Sequence, residues 1–289
     1  MKVFQFSADR YAPAAPHDPK YAKVDQRRLA QFVGAIAILL PLILLAASLI
    51  SYVIPADYPY IRTCFRDSIS HYYYAHFWGG PFIGSLVFIA TYLFVYQGED
   101  AAGAERRLST FAGFAALGVA IFPTSRHGCD QPGFAARAFA DFGSLNDPDK
   151  VLVLIGRDNV DQYFQMMPLA EWIHYGSALI LFLFLAWFAF FVFTTVDKDQ
   201  MNANGSLTEE KILRNRFYYA CGTIMLASIV ALVAHFIAVT FGGKSGAGWR
   251  AGNWTFWCEA FALWAFGISW MIKGRFFEKL KDAGEKPSK

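Results

Sequence analysis

Residues 29–54 read LAQFVGAIAILLPLILLAASLISYVI, without one charged side chain. A helix needs about 20 apolar residues to cross a bilayer, so this run is long enough for one crossing, with Pro41 as the place for a kink. Comparable blocks follow at residues 77–96, 110–123, 168–195, 217–241 and 253–272. The chain has 289 residues, of which 55% are hydrophobic and 17% charged. The expectation is an all-α polytopic membrane protein, a six-helix transmembrane bundle. Block 110–123 is the thinnest and is expected to borrow residues from its flanks. Gly80 and Gly84 stand four apart in the second block, a spacing that lets helices approach closely.

The connections set an orientation. Residues 1–28 are polar, hold Pro13, Pro16 and Pro19, and lack the apolar core of a cleaved signal peptide. The first block is therefore expected to stay as an anchor. Placing both termini in the cytoplasm puts 18 Lys and Arg on the cytoplasmic side and 8 on the other. That asymmetry is the one expected of a multi-pass protein of the inner (cytoplasmic) membrane with both termini in the cytoplasm. Connection 124–167 is long enough for a cap or lid, with a short apolar run at 151–155 and a helical turn or two at 158–167. Asn204-Gly205 signals a turn, and Ser206-Leu207-Thr208-Glu209 has the spacing of a capping box opening the fifth helix at Ser206. A basic tail closes the chain from Lys273. A net charge of +3, with no basic stripe interleaved with aromatics, argues against nucleic acid. The expected partners are the lipid bilayer and other membrane proteins.

This topology gathers the chemistry at one level. Residues 66–76 read RDSISHYYYAH at the outer mouth of the second span. His127 follows the third span, Glu171 and His174 open the fourth, His235 lies in the outer third of the fifth, and Glu259 sits one to two turns into the sixth. The inner halves show no equivalent cluster. Ionisable groups in a span are costly and are read as functional by default. Glu171 and His174, three apart, share a helix face, as metal-binding carboxylate and imidazole do. Asp67 and His71, four apart, pair if their segment is helical. Glu259, Leu263, Phe266 and Trp270 make a helical stripe, and Ser228 shares one with His235. Cys64 and Cys129 fall in outer loops, where an oxidising compartment allows a bridge.

Each feature has a plainer reading. Tyr72, Tyr73, Tyr74, Trp78, Trp254 and Trp257 read as an aromatic belt. His71, His76 and His127 read as wet interfacial residues, Glu171 as a carboxylate favoured at a helix N-terminus, and Glu259 with His235 as a hydrogen-bonded pair. Three functional classes stay open. In the first, a membrane hydrolase acts on a lipid-like substrate. Zinc is held by His174, His235 and Glu171 or Glu259, and activates water. Asp67 serves as base, Ser70 or a tyrosine hydroxyl orients substrate, and Glu259 joins Asp67 and Ser70 in the catalytic set. In the second, the chain is a non-catalytic subunit, with His174 and His235 as haem ligands or a quinone at the outer site. In the third it is a proton-coupled transporter, against which no inverted repeat is visible.

Several segments form a familiar set: Arg66-Asp67-Ser68-Ile69-Ser70 followed by tyrosines, Phe122-Pro123-Thr124-Ser125, Ile173-His174-Tyr175, Arg214-Asn215-Arg216, and Glu259 through Trp264, Phe266 and Gly267 to Trp270. Together they resemble an uncharacterised family of bacterial multi-spanning membrane proteins. The chain is also similar, more distantly, to the membrane hydrolase superfamily of alkaline ceramidases and adiponectin-type receptors. Those have seven spans, an early Ser and His, an Asp, and a His-x-x-x-His in the last span. The resemblance gives the early part to Ser68, Ser70, His71 and His76. The last span departs from it, with Glu259 and no histidine.

Overall fold

The computed structural model describes residues 26–55, 57–58, 61–96, 103–124, 169–196 and 200–281. The expectations for 1–25, 151–155 and 158–167, and for His127 and Cys129, lie outside the described residues. Among the described residues every named element is helical, and Met201 and Leu207 form an isolated bridge. The main helices are α1 (Gln26–Ile50), α2 (Gly79–Val95), α3 (Ala104–Ile121), α4 (Ala170–Trp187), α5 (Glu209–Thr240) and α6 (Trp254–Lys273). A π turn, Phe188–Val192, extends α4.

Four helices are long and apolar enough to cross a membrane: α1, α4 with its π turn, α5 and α6. α2 is apolar but shorter, at 17 residues. α3 starts at Ala104, so block 110–123 does borrow from its N-terminal flank, and Arg106 and Arg107 occupy the first turn of the helix. Each helix packs on the next, α1 on α2, α2 on α3, α3 on α4, α4 on α5 and α5 on α6, and α6 returns to α1. This closed ring surrounds one apolar core.

α1 and α6 meet backbone to backbone. A methyl group on Gly34 would stand 2.7 Å from the Gly267 carbonyl oxygen, and one on Gly267 2.6 Å from that of Gly34. Two backbones touch there, which only glycine permits. Gly80 and Gly84 do not serve this purpose. Among the described residues nothing approaches either one, so the close helix contact expected at α2 is not made there.

The α5 cap also shifts. Ser206 is taken up by the preceding turn, where its N–H and hydroxyl donate to Asn204 Oδ1 at 3.0 and 2.7 Å. Gly205 turns that corner at φ 82°. Thr208 caps the helix instead, its hydroxyl accepting the Lys211 N–H at 3.3 Å.

The first turns of α5 carry buried cations, on the helix expected from Ser206 onward but with a burial that the sequence did not announce. Lys211 and Arg214 are 3% and 1% exposed. Lys211 Nζ donates to the carbonyls of Phe193 (3.2 Å) and Thr195, closing the end of α4, and Arg214 Nη1 donates to the Leu280 carbonyl at 2.7 Å. Beside them Trp270 is fully buried, its ring 5.0 Å from Phe193, 5.1 Å from Tyr92 and 5.8 Å from Tyr96.

Candidate functional site

The opposite end of the ring is closed by residues 66–74. Ser68 sets the local fold. Its hydroxyl oxygen accepts the Ser70 N–H at 3.1 Å, and i→i+3 bonds from His71 to Ser68 and from Tyr72 to Ile69 start the 3-10 helix Ser70–Tyr74. A serine that bonds its own backbone two residues on favours a tight turn over an α-helix.

Glu259 meets the start of this turn. Ser68 Oγ donates to its two carboxylate oxygens at 3.0 and 2.9 Å, and the Ile69 N–H donates to Oε2 at 2.6 Å. The exchange is reciprocal, because the Phe256 N–H in the first turn of α6 donates to the Asp67 carbonyl at 2.7 Å. An amide that α6 cannot satisfy internally is thereby satisfied. Asp67 Oδ1 stands 2.5 Å from His71 Nδ1. The expected pair therefore forms, across the entry to the 3-10 helix.

Ser70 and His174 form the contact with the most chemistry. Ser70 Oγ lies 3.1 Å from His174 Nε2, and His174 Nδ1 lies 2.6 Å from the Phe122 carbonyl oxygen. A carbonyl only accepts, so Nδ1 carries a proton. In the neutral ring Nε2 is then the acceptor, and the serine hydroxyl donates to it. Phe122 follows the last turn of α3, where carbonyls lack helical partners. Ser70 and His174 are 6% and 2% exposed.

The tyrosines are core, which corrects the belt reading. Tyr72, Tyr73 and Tyr74 are 0%, 4% and 0% exposed. Tyr72 OH lies 2.5 Å from Ser48 Oγ on α1, with the Arg66 guanidinium 5.6 Å over its ring. Tyr74 OH donates to the Thr124 carbonyl. Burial pushes both phenols above their ordinary pKa, so both remain hydrogen-bond donors. His71, read as wet, is 7% exposed. His76 and Trp254 do stand exposed.

The segment thus joins α1 through Tyr72, the end of α3 through Tyr74, α4 through Ser70, and α6 through Ser68, Ile69 and Asp67. Asp67, Ser70, His174 and Glu259 are brought together. Glu171, His174 and His235 are not. Glu171 accepts the Tyr175 hydroxyl at 2.9 Å, and His235 stacks flat on Trp249 at 4.3 Å. Zinc ligation would require His174 to release Ser70 or Phe122. Among the described residues no three His, Cys, Asp or Glu side chains assemble a metal set, so no step is derived through one. His235 and Glu259 also go to separate partners, so they are not the expected pair. Cys64 is disulfide-bonded, while Cys221 and Cys258 are free.

Sequence reasoning missed the Phe122 carbonyl, which no side chain announces. It also missed the Ser68–Glu259 bond, which spans 191 positions. No known protein-family model matches the chain, and no curated protein or solved structure matches it.

Proposed function

We propose that this end of the ring is the active site of a membrane-embedded hydrolase that cleaves an acyl bond in a lipid-like substrate. Ser70 is the nucleophile, His174 the general base, and the Phe122 carbonyl the group that orients the imidazole. The observation that carries the reading is the Ser70–His174–Phe122 chain of contacts at 3.1 and 2.6 Å. It has the nucleophile, base and orienter of acyl-transfer sites within hydrogen-bond reach.

In the first step Ser70 Oγ bonds to the acyl carbon as its proton passes to His174 Nε2. His174 then gives that proton to the leaving oxygen as the old acyl bond breaks. Water repeats the sequence, releasing the carboxylic acid and restoring Ser70. Glu259 and Asp67 hold Ser68, Ile69 and His71, and so fix the turn on which Ser70 is carried.

The proposal includes six spans, with both termini in the cytoplasm of a bacterial inner membrane. Supporting it are the ring of six helices, the Lys and Arg asymmetry, and the Cys64 disulfide, a bond that persists in oxidising compartments. Purified protein is expected to hydrolyse p-nitrophenyl acyl esters in mixed micelles, with turnover lost in Ser70→Ala. Equal turnover in that variant would sink the reading.

A second reading is favoured by one observation: the alternate residues Ser68, Ser70, Tyr72 and Tyr74 bond to α6, α4, α1 and the segment after α3. In that reading the turn is a clamp in a non-catalytic subunit of a membrane complex. Its mark would be loss of stability in Ser70→Ala with no esterase activity to lose.

A further inference from the structure

His235, drawn into the metal set by the sequence, belongs to a different construction. Residues 241–253 join α5 to α6, two of the helices long and apolar enough to cross a membrane. This turn therefore sits at the level of lipid headgroups, whichever way the chain is oriented. It carries Lys244 and Arg250, both exposed, and no acidic residue stands between Glu210 and Glu259. Among the described residues neither cation has a salt-bridge partner. Glu171, brought to this end by α4, accepts the Tyr175 hydroxyl, and Glu259 is held by Ser68.

The turn is built rather than loose. Gly246 takes φ 63°, and the space its missing Cβ leaves lies 3.2 Å from the His235 ring and 3.4 Å from Arg250 Nη1. Trp249 lies flat against His235 and donates from Nε1 to Thr255 Oγ1 at 2.8 Å, which fixes its plane. Trp254 stands beside it, 52% exposed. A guanidinium that reads phosphate in two-point fashion, a lysine and an indole lie on this one turn, and a second indole opens α6 directly after it.

We infer that this turn, with the start of α6, binds the phosphate of an anionic phospholipid, with Arg250 and Lys244 on the phosphate oxygens and Trp249 and Trp254 along the glycerol. The inference is independent of the hydrolase reading, because none of these residues takes part in the Ser70 contacts. It is tested by native mass spectrometry of the full chain released from micelles containing equal dioleoyl-phosphatidylglycerol and dioleoyl-phosphatidylcholine. Phosphatidylglycerol is expected to be retained about 10- to 30-fold over phosphatidylcholine, given roughly 1 kcal/mol per cation at the surface. In Lys244→Gln/Arg250→Gln the preference should fall to near parity at unchanged helical content. Equal retention of both lipids by the unsubstituted chain would overturn the inference. So would a preference that survives the double substitution, since the anion would then sit on another surface.

Discussion

The two ends of the ring both bury charge, and they do it in different ways. Around Lys211 and Arg214 the described bonds run from cations to main-chain carbonyls of Phe193, Thr195 and Leu280. Such bonds close helix ends, and any donor of the right length would serve. Around Asp67 the bonds run between side chains of complementary acid–base character: hydroxyl to carboxylate, imidazole to carboxylate, imidazole to hydroxyl. Bonds of this second kind have the chemistry to pass a proton as well as hold helices. Burial alone therefore does not mark a site; the identity of the partner does.

The sharpest way to break the comparison is to remove a reacting group at one end. Ser70→Ala is expected to lower ester turnover by roughly 10³-fold or more, and His174→Gln by roughly 10²- to 10⁴-fold, both read as initial rates on folded protein. Glu259→Ala should cost about 3 kcal/mol, because the Ser68 hydroxyl and Ile69 N–H lose a charged acceptor. Denaturant titration in detergent measures the loss, and turnover should fall with it. Arg214→Ala should cost about 2 kcal/mol through the bond to Leu280, while turnover per folded molecule stays at the unsubstituted level. A turnover loss in Arg214→Ala would erase the distinction between the ends.

Tyr72→Phe should have the smallest effect, about 1 kcal/mol. It also carries a pH signature. The folded phenol has the higher pKa, so its contribution is intact below the ordinary tyrosine value of about 10 and is lost as pH rises beyond it. Part of the alkaline loss of stability should vanish in Tyr72→Phe, measured by thermal unfolding across that range.

The helices were legible because apolar runs of bilayer length leave little choice of structure. What lay between them was harder. Tyr72 to Tyr74 looked like a belt, since aromatics ahead of a span usually face the interface; here a 3-10 turn folds them into the core. The capping spacing put Lys211 and Arg214 on the fifth helix, but spacing does not say that their charged ends turn inward. Gly80 and Gly84 matched a packing motif, but spacing does not say which face a helix turns inward; the contact was made by Gly34 and Gly267, from opposite ends of the chain. At the site, Asp67 with His71 was visible as a local spacing. Ser70 with His174 joins residues 104 apart and depends on how α4 packs, which spacing cannot supply.

The central claim is that Ser70 is activated by His174, and an alkyl fluorophosphonate tests it most directly. The reagent bonds to an activated serine oxygen as fluoride leaves. Intact-mass and peptide analysis of the treated chain should show one adduct, on Ser70, absent from both Ser70→Ala and His174→Gln and present in Arg214→Ala. An unmodified Ser70, or labelling that is equally fast in His174→Gln, would contradict the account.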